Sequence, residues 1–254
     1  MISVLTLNLR FGLAADGPNG WEFRKGSLSK LLSQYEAIFL GFQEANDFQI
    51  EYLCGALPGF SYIGRRSPAP PAWQSNITFY RSDWQCLHRD HFFLSPTPDI
   101  PSRFRDSKWP RQCTLGVFQK GADRIIIINT HLDFDPTVQA HSARIILDRI
   151  SSFPADIPAV LIGDFNADPK SLCYRIITGN DPVGPPVARI FKDAFCSPYP
   201  ATFHGFSGDT GGSHIDWILY AGKIVPTSCV VIQQKFGGRY PSDHFPLFAT
   251  FNFL

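Results

Sequence analysis

The stretch Ala159–Pro169, AVLIGDFNADP, decides how this chain is read. Its first part, AVLI, is a short aliphatic run of the kind that buried strands use. Behind that run stand Asp164 and Asn166, and the segment then breaks at Asp168-Pro169. The same layout recurs. VLTLNL carries Asn8, AIFLGFQEAN carries Glu44, IIIINTHLDFD carries His131 and Asp133, and SHIDWIL carries Asp216. RYPSDHFPL sets Asp243 and His244 just before a final apolar run. Strand ends that open on one mouth are where sheets usually bind ligands. Oxygen donors from Asn, Asp and Glu suit Mg²⁺ or Mn²⁺ rather than zinc.

Apolar periodicity predicts strands over Ile2–Leu7, Ala37–Phe42, Asn76–Tyr80, Thr114–Phe118, Arg124–Asn129, Ala159–Ile162, His214–Leu219, Val230–Gln233 and Leu247–Phe253. They are short and rich in Ile, Val and Phe, as strands packed on both faces should be. Between some of them run helical patterns. Leu28, Leu31, Leu32 and Tyr35 form one core-facing stripe. Asp135-Pro136 opens a second helix, because an Asp cap followed by Pro suits the orphan amides of a first turn, and Val138, Ile145 and Ile146 share its inner face. Asp168-Pro169 is expected to open a third, closed by Gly179. Several strands follow one another without helices, which argues for mixed sheets with helices outside, not a regular doubly wound fold. Clusters of Pro and Gly at 67–71, 95–101 and 181–186 are too short for interdomain linkers, so residues 1–254 are expected to form one domain.

The chain has 254 residues, 44% of them hydrophobic, with 23 Lys and Arg against 22 Asp and Glu. That composition excludes disordered, collagen-like and coiled-coil classes. A net charge of +1 gives no chain-wide basic grip on long nucleic acid, so any recognition of a polyanion must be local. No segment has the ~20 apolar residues of a membrane span, and MISVLTLNLRFG lacks the features of a signal peptide. The six cysteines form no C-x-x-C pair, which points to reduced, buried thiols, and the chain is expected to be cytoplasmic and, separately, a monomer.

Each polar group also has an ordinary explanation. Asn or Asp after a strand is commonly a turn residue, and helix capping accounts for Asp135 and Asp168. His88, His91, His141 and His204 read as core or surface residues. Glu44, Asp164 and Asp216 are harder to set aside, because each follows a buried-looking run where an unpaired carboxylate is costly. Their joint occurrence carries the weight.

The ordered set T-x-N-x-R (Thr6-Leu7-Asn8), Q-E (Gln43-Glu44), N-T-H-L-D (Asn129–Asp133), G-D-F-N-A (Gly163–Ala167), I-D-W-I-L (Ile215–Leu219) and S-D-H-x-P (Ser242–Pro246) resembles the endonuclease/exonuclease/phosphatase superfamily, the deoxyribonuclease-I-like fold. The resemblance runs from the first strand to the last. It implies an α+β fold: two packed mixed β-sheets forming a sandwich core, flanked by helices in a four-layer α/β/β/α order, with the active site at one edge. It implies a metal-dependent phosphodiesterase or phosphomonoesterase. Carried over by motif, Glu44 is similar to the principal Mg²⁺ (or Mn²⁺) ligand, supported by Asn8 and Asp243. Asp164 resembles the base acting on the attacking water, and Asn166 the amide holding phosphate or nucleophile. His244 would contact the phosphoryl oxygens with Asp216 fixing its tautomer, and His131 resembles a phosphate ligand or leaving-group acid.

Asn19–Lys25, His91–Pro101 and Arg239–Pro246 resemble a prokaryotic-type subgroup of unassigned substrate. There, a Glu before the FYR strand pairs with the N-T-H-L-D histidine; here Gln74 stands at that spacing, so His131 should be harder to protonate. In SRFRDSKWPRQ, Arg103, Arg105, Lys108 and Arg111 lie beside Trp109, a loop able to take a phosphate and a stacked base. Arg111 matches a substrate-side arginine of the subgroup. Arg65-Arg66 before the Pro-rich stretch 68–71 is a second, weaker patch. The expected activity is a divalent-metal-dependent hydrolase of phosphate esters, a phosphodiesterase by water attack, on a small molecule or short nucleic acid. The alternatives are a DNA or RNA nuclease, and a catalytically silent binding module on the same fold.

Overall fold

Two six-stranded sheets lie face to face in this computed structural model, which describes residues 1–67, 69–181 and 183–254. Pro68 and Pro182, members of two of the proline clusters, lie outside the described residues. The first sheet contains β1 (Ile2–Asn8), β2 (Phe39–Ala45), β3 (Phe60–Ile63), β4 (Ser75–Arg81), β11 (Ile224–Val231) and β12 (Leu247–Phe253), in the order β11-β12-β1-β2-β4-β3. The second contains β5 (Gln85–Phe93), β6 (Gln112–Lys120), β7 (Asp123–His131), β8 (Ala159–Asp164), β9 (Lys192–Asp193) and β10 (Asp216–Ala221), in the order β5-β6-β7-β8-β10-β9. Both are mixed: β1 runs parallel to β2 and β7 parallel to β8, and the other neighbours are antiparallel.

Three apolar clusters stack in layers. Ile2, Val4, Phe39, Ile127, Ile162, Ile218 and Phe251 fill the space between the sheets. Helices α1 (Trp21–Gln34) and α2 (Asp47–Ala56) pack Leu28, Leu31 and Leu53 on the outer face of the first sheet. Helix α3 (Pro136–Ser151) and the short α4 (Leu172–Ile177) cover the second with Ala143, Ile146 and Ile176. The order is therefore helices, sheet, sheet, helices, as expected. Every residue of β1 and β8 is buried because both faces are covered, which is why their sequences read as continuous apolar runs.

The structure departs from the sequence expectations in specific places. Asp168-Pro169 opens a turn rather than a helix: Ser171 N donates to Asp168 O, and Ser171 itself caps α4 by accepting from Tyr174 N. Asp135 caps α3 as expected, accepting from Thr137 and Val138 amides. Strands β3, β5 and β9 and helix α2 went unread, because β5 is largely exposed and β9 has only two residues. The cysteines are all unpaired, but Cys54 and Cys196 are exposed rather than buried.

The topology carries the N-T-H-L-D and G-D-F-N motifs to one edge. Parallel pairing sets His131 opposite Asp164, and antiparallel pairing sets Asp216 opposite Asp164 from the other side. Gly163 is required there: its φ is 143°, and a Cβ would stand 1.9 Å from Thr130 O.

Candidate active site

Asn8 closes β1 at the seam between the sheets. Its Nδ2 donates to Asp164 Oδ2 at 2.9 Å and to Glu44 Oε1 at 3.3 Å, so one amide touches a carboxylate from each sheet. Its Oδ1 accepts from Arg10 N at 2.8 Å. Glu44 occupies a bulge in β2, where the register with β4 shifts between Phe42 and Ala45, and its φ is +59°. Such a backbone costs a non-glycine residue about 1–3 kcal/mol and persists only when its surroundings hold it. Here Phe11 N donates to Glu44 Oε2 at 2.5 Å, and Arg10 beside it is also left-handed, at φ +60°.

Asp164 is the hub. Asn166 N donates to its Oδ1 at 2.8 Å, while His131 Nε2 and His244 Nε2 stand 3.4 and 3.8 Å from Oδ2. Burial, reinforced by nearby Asp216, raises its pKa to about 7. His244 Nδ1 lies 2.8 Å from Asp216 Oδ2. Burial disfavours charge on His244, but Asp216 and Asp164 outweigh it and raise its pKa to about 10. His131 goes the other way. Burial, then the charges of Arg111 and His244, hold it well below the ordinary histidine range. No hydrogen bond joins Gln74 to His131 among the described residues; the ring is met instead by Asn166 Nδ2 at 3.0 Å.

Asn166 donates from the same Nδ2 to Leu132 O at 3.0 Å. With both amide hydrogens engaged, it offers the site its Oδ1, an acceptor. Asp243 Oδ1 is 3.0 Å from Ser242 Oγ, which also donates to Asn8 O at 2.6 Å, and Asp243 Oδ2 is 3.7 Å from Arg10 Nε. Asp133 holds the basic loop: its carboxylate accepts from Ser107 Oγ and lies 3.7 Å from Arg111 Nε. Arg111 is buried and its Nε has no hydrogen-bond partner. Arg65 turns outward to Asp47 at 3.0 Å, and Arg66 stacks on Trp73.

The donor set fits a hard divalent cation. Asp216 Oδ1 is buried and lacks a hydrogen-bond partner, an acceptor with nothing to accept from. Among the described His, Cys, Asp and Glu residues, Asp164, Asp216 and His244 bring ligating atoms within 4.8 Å of one another. This differs from the expected set of Glu44, Asn8 and Asp243. Within the compact group His244 is hydrogen-bonded to Asp216 and favours the imidazolium, which is no metal ligand.

The sequence profile described as the Endonuclease/Exonuclease/phosphatase family matches residues 5–244. The chain belongs to that family. A Bacteroides thetaiotaomicron VPI-5482 mannosyl-6-phosphatase, Bt3783, superposes with a TM-score of 0.87 at 24% identity, covering 100% of both chains. D. rerio TDP2 complexed with single strand DNA product superposes at 0.76 with 17% identity, over 99% of this chain and 98% of that one. The Candida albicans CCR4-Not complex 3'-5'-exoribonuclease subunit Ccr4 is 22% identical over 91% of this chain, which spans 37% of that relative's length.

Within this family frame, two arginines went unread as site residues. Arg10, the arginine of T-x-N-x-R, pairs with Asp16 at 2.9 Å, which raises its pKa, and faces Asp243. Arg24 is 1% exposed and donates to the carbonyls of Asn19, Pro241 and Arg10, tying α1 to the segments next to Asp243 and Asn8. The signal was available: Arg24 lies on the same helical stripe as Leu28 and Leu31. Gln43 and Asn129 pin the sheets directly behind the site, with Gln43 Nε2 donating to Asn129 Oδ1 at 2.7 Å.

Proposed function

We propose that this chain is a divalent-metal-dependent hydrolase of phosphate esters, a phosphodiesterase acting by water attack on phosphorus. The single observation that carries the reading is the hub at Asp164: a buried carboxylate held at 2.9 Å by Asn8 and at 2.8 Å by the Asn166 amide, between two histidines of opposite charge preference.

In this reading Glu44, with Asn8 and Asp243, holds Mg²⁺ or Mn²⁺. When bound, the ion supplies positive charge to a non-bridging phosphate oxygen and offsets the charge that builds during attack. Asp164 accepts a proton from the attacking water as general base. Asn166 Oδ1 accepts the water's other hydrogen and orients it, which suits an acceptor better than contact with phosphate does. His244, protonated and held by Asp216, donates to a phosphoryl oxygen. Arg111 brings a guanidinium whose buried Nε faces Asp133 at 3.7 Å without a hydrogen bond, a positive charge suited to the substrate's phosphate. His131, held neutral, accepts from Asn166 Nδ2, and its role is to fix that amide rather than to protonate the leaving group.

A nuclease reading is supported by one separate feature. Trp109 is 53% exposed with Lys108 Nζ 4.9 Å from its ring, beside Arg111, a pairing able to hold a base and a phosphate. Purified protein with Mg²⁺ or Mn²⁺ and bis-p-nitrophenyl phosphate tests the hydrolase reading. Metal-dependent release of p-nitrophenolate supports it, and inertness on that ester and on a nucleotide panel contradicts it. Affinity that falls steeply with salt marks the nuclease; a shallow dependence marks a single phosphate.

A further inference from the structure

Two exposed phenyl rings sit against groups of the site. Phe134 is 69% exposed and its ring lies 5.4 Å from the Arg111 guanidinium. Phe203 is 41% exposed and its ring meets the His244 imidazole edge-on at 5.0 Å. A lone exposed Phe is unremarkable on a protein surface. These two differ in what holds them. Phe203 pairs with His244 as an isolated bridge and donates from its backbone to Ser213 O at 3.2 Å. Phe134 lies inside the turn closed by Asp135 N on Asp133 Oδ1 at 3.1 Å. Both rings are presented to solvent from a braced backbone.

The sheet order places Arg111, which Phe134 touches, and Asp216, the partner of the His244 that Phe203 touches, on opposite sides of the hub. Arg111 immediately precedes β6, Asp164 ends β8, and Asp216, the partner of His244, opens β10. In the order β6-β7-β8-β10 at roughly 4.8 Å per step, Arg111 lies about two strands to one side of Asp164 and Asp216 one strand to the other. A phosphorus centred on Asp164 then has one phenyl beyond each flank.

We infer that Phe134 and Phe203 are stacking subsites for the two ester arms of the substrate, which is therefore a phosphodiester bearing a flat ring on each arm, as in a dinucleotide. This rests on the hydrolase reading for the position of the phosphorus. A monoester has one arm and would leave one ring bare. Stacking of a base on an aromatic side chain is sequence-tolerant, so the subsites select ring-bearing diesters without reading a base.

The test is calorimetric binding to the full chain carrying Asp164→Asn, with Mg²⁺, so that binding is read without turnover. The probes are a thymidine dinucleotide, with a base on each arm, and the methyl diester of thymidine phosphate, with a base on one. The dinucleotide should bind on the order of tenfold tighter. Adding Phe134→Ala or Phe203→Ala should each weaken the dinucleotide on the order of tenfold, while Phe→Tyr at either position retains it. Equal affinities for the two probes, or Ala variants that bind the dinucleotide as before, overturn the inference. Hydrolysis of bis-p-nitrophenyl phosphate by the unsubstituted chain is read separately. Ring-dependent binding by a chain inert on every ester would leave the subsites standing and remove the hydrolase.

Discussion

Asn8 donates to Asp164 at 2.9 Å across the seam between the two sheets, and the same nitrogen reaches Glu44 at 3.3 Å. A single amide thus sits between two carboxylates that would otherwise face each other. Its bond favours the ionised form of Asp164 against the burial that raises its pKa. Asn8→Ala removes that bond. Asp164 should then deprotonate at higher pH, moving the acidic limb of the kcat/KM profile upward, with a loss on the order of tenfold or more at neutral pH. An unmoved limb would show that Asn8 does not tune Asp164.

Metal-free protein should lose stability as pH rises. Folding raises the pKa of Asp164 from 3.8 to about 7, so its contribution is full below 3.8 and lost as pH climbs through about 7. His244 is raised from 6.5 to about 10, so its contribution is full below 6.5 and lost through about 10. Both act in the same direction. Thermal melts in chelator should show Tm falling from pH 6.5 to 10, and His244→Gln should flatten the upper part of that fall. A Tm constant over this window contradicts the assignment.

Glu44 is the proposed principal metal ligand, held in a left-handed conformation by Phe11 N. Glu44→Gln keeps the shape and removes the charge. Calorimetric titration with Mn²⁺ should show affinity lowered by on the order of tenfold or more, since even outer partners of a metal site contribute that much. Unchanged affinity, with Asp216→Asn abolishing binding instead, would move the ion to the compact Asp164, Asp216 and His244 group.

His131 is neutral because burial and the charges of Arg111 and His244 disfavour its protonation. Its Nε2 accepts from Asn166 Nδ2 and carries no proton to give a leaving group. His131→Gln should therefore lower kcat by less than about tenfold on an alkyl ester as well as on a p-nitrophenyl ester, where general acids otherwise contribute 10²–10⁴-fold. A large loss confined to the alkyl ester would restore the leaving-group role.

How far the site was legible in sequence follows from the physics of each residue. Asn8, Glu44, His131, Asp164, Asp216 and His244 could be read because each ends or adjoins a covered strand, and an apolar run that stops at a polar residue marks a strand end in any context. Their convergence is a matter of pairing register, which only the motif order hinted at. Arg24 shares the stripe of Leu28 and Leu31, which marks it as inward-facing, but its partners, the carbonyls of Asn19, Pro241 and Arg10, include one from the far end of the chain that no local pattern shows. Helix α2 has a capping box, with Gln49 Oε1 accepting from Asn46 N, but its buried apolar residues are only Ile50 and Leu53, too few for a helical stripe to stand out. The false helix start at Asp168 came from a side chain that caps a turn as readily as a helix; its Oδ1 accepts from Lys170 N at 2.6 Å.

The most direct measurement compares the unsubstituted chain with Asp164→Asn on bis-p-nitrophenyl phosphate, each stripped of metal and then supplied with Mg²⁺ or Mn²⁺. Turnover is expected only with metal, with a loss in Asp164→Asn on the order of 10²-fold or more and a melting temperature for that variant no lower than the parent's at pH 8, where the buried carboxylate is ionised. Metal-independent turnover, or an Asp164→Asn variant that hydrolyses the ester as fast as its parent, would contradict that expectation.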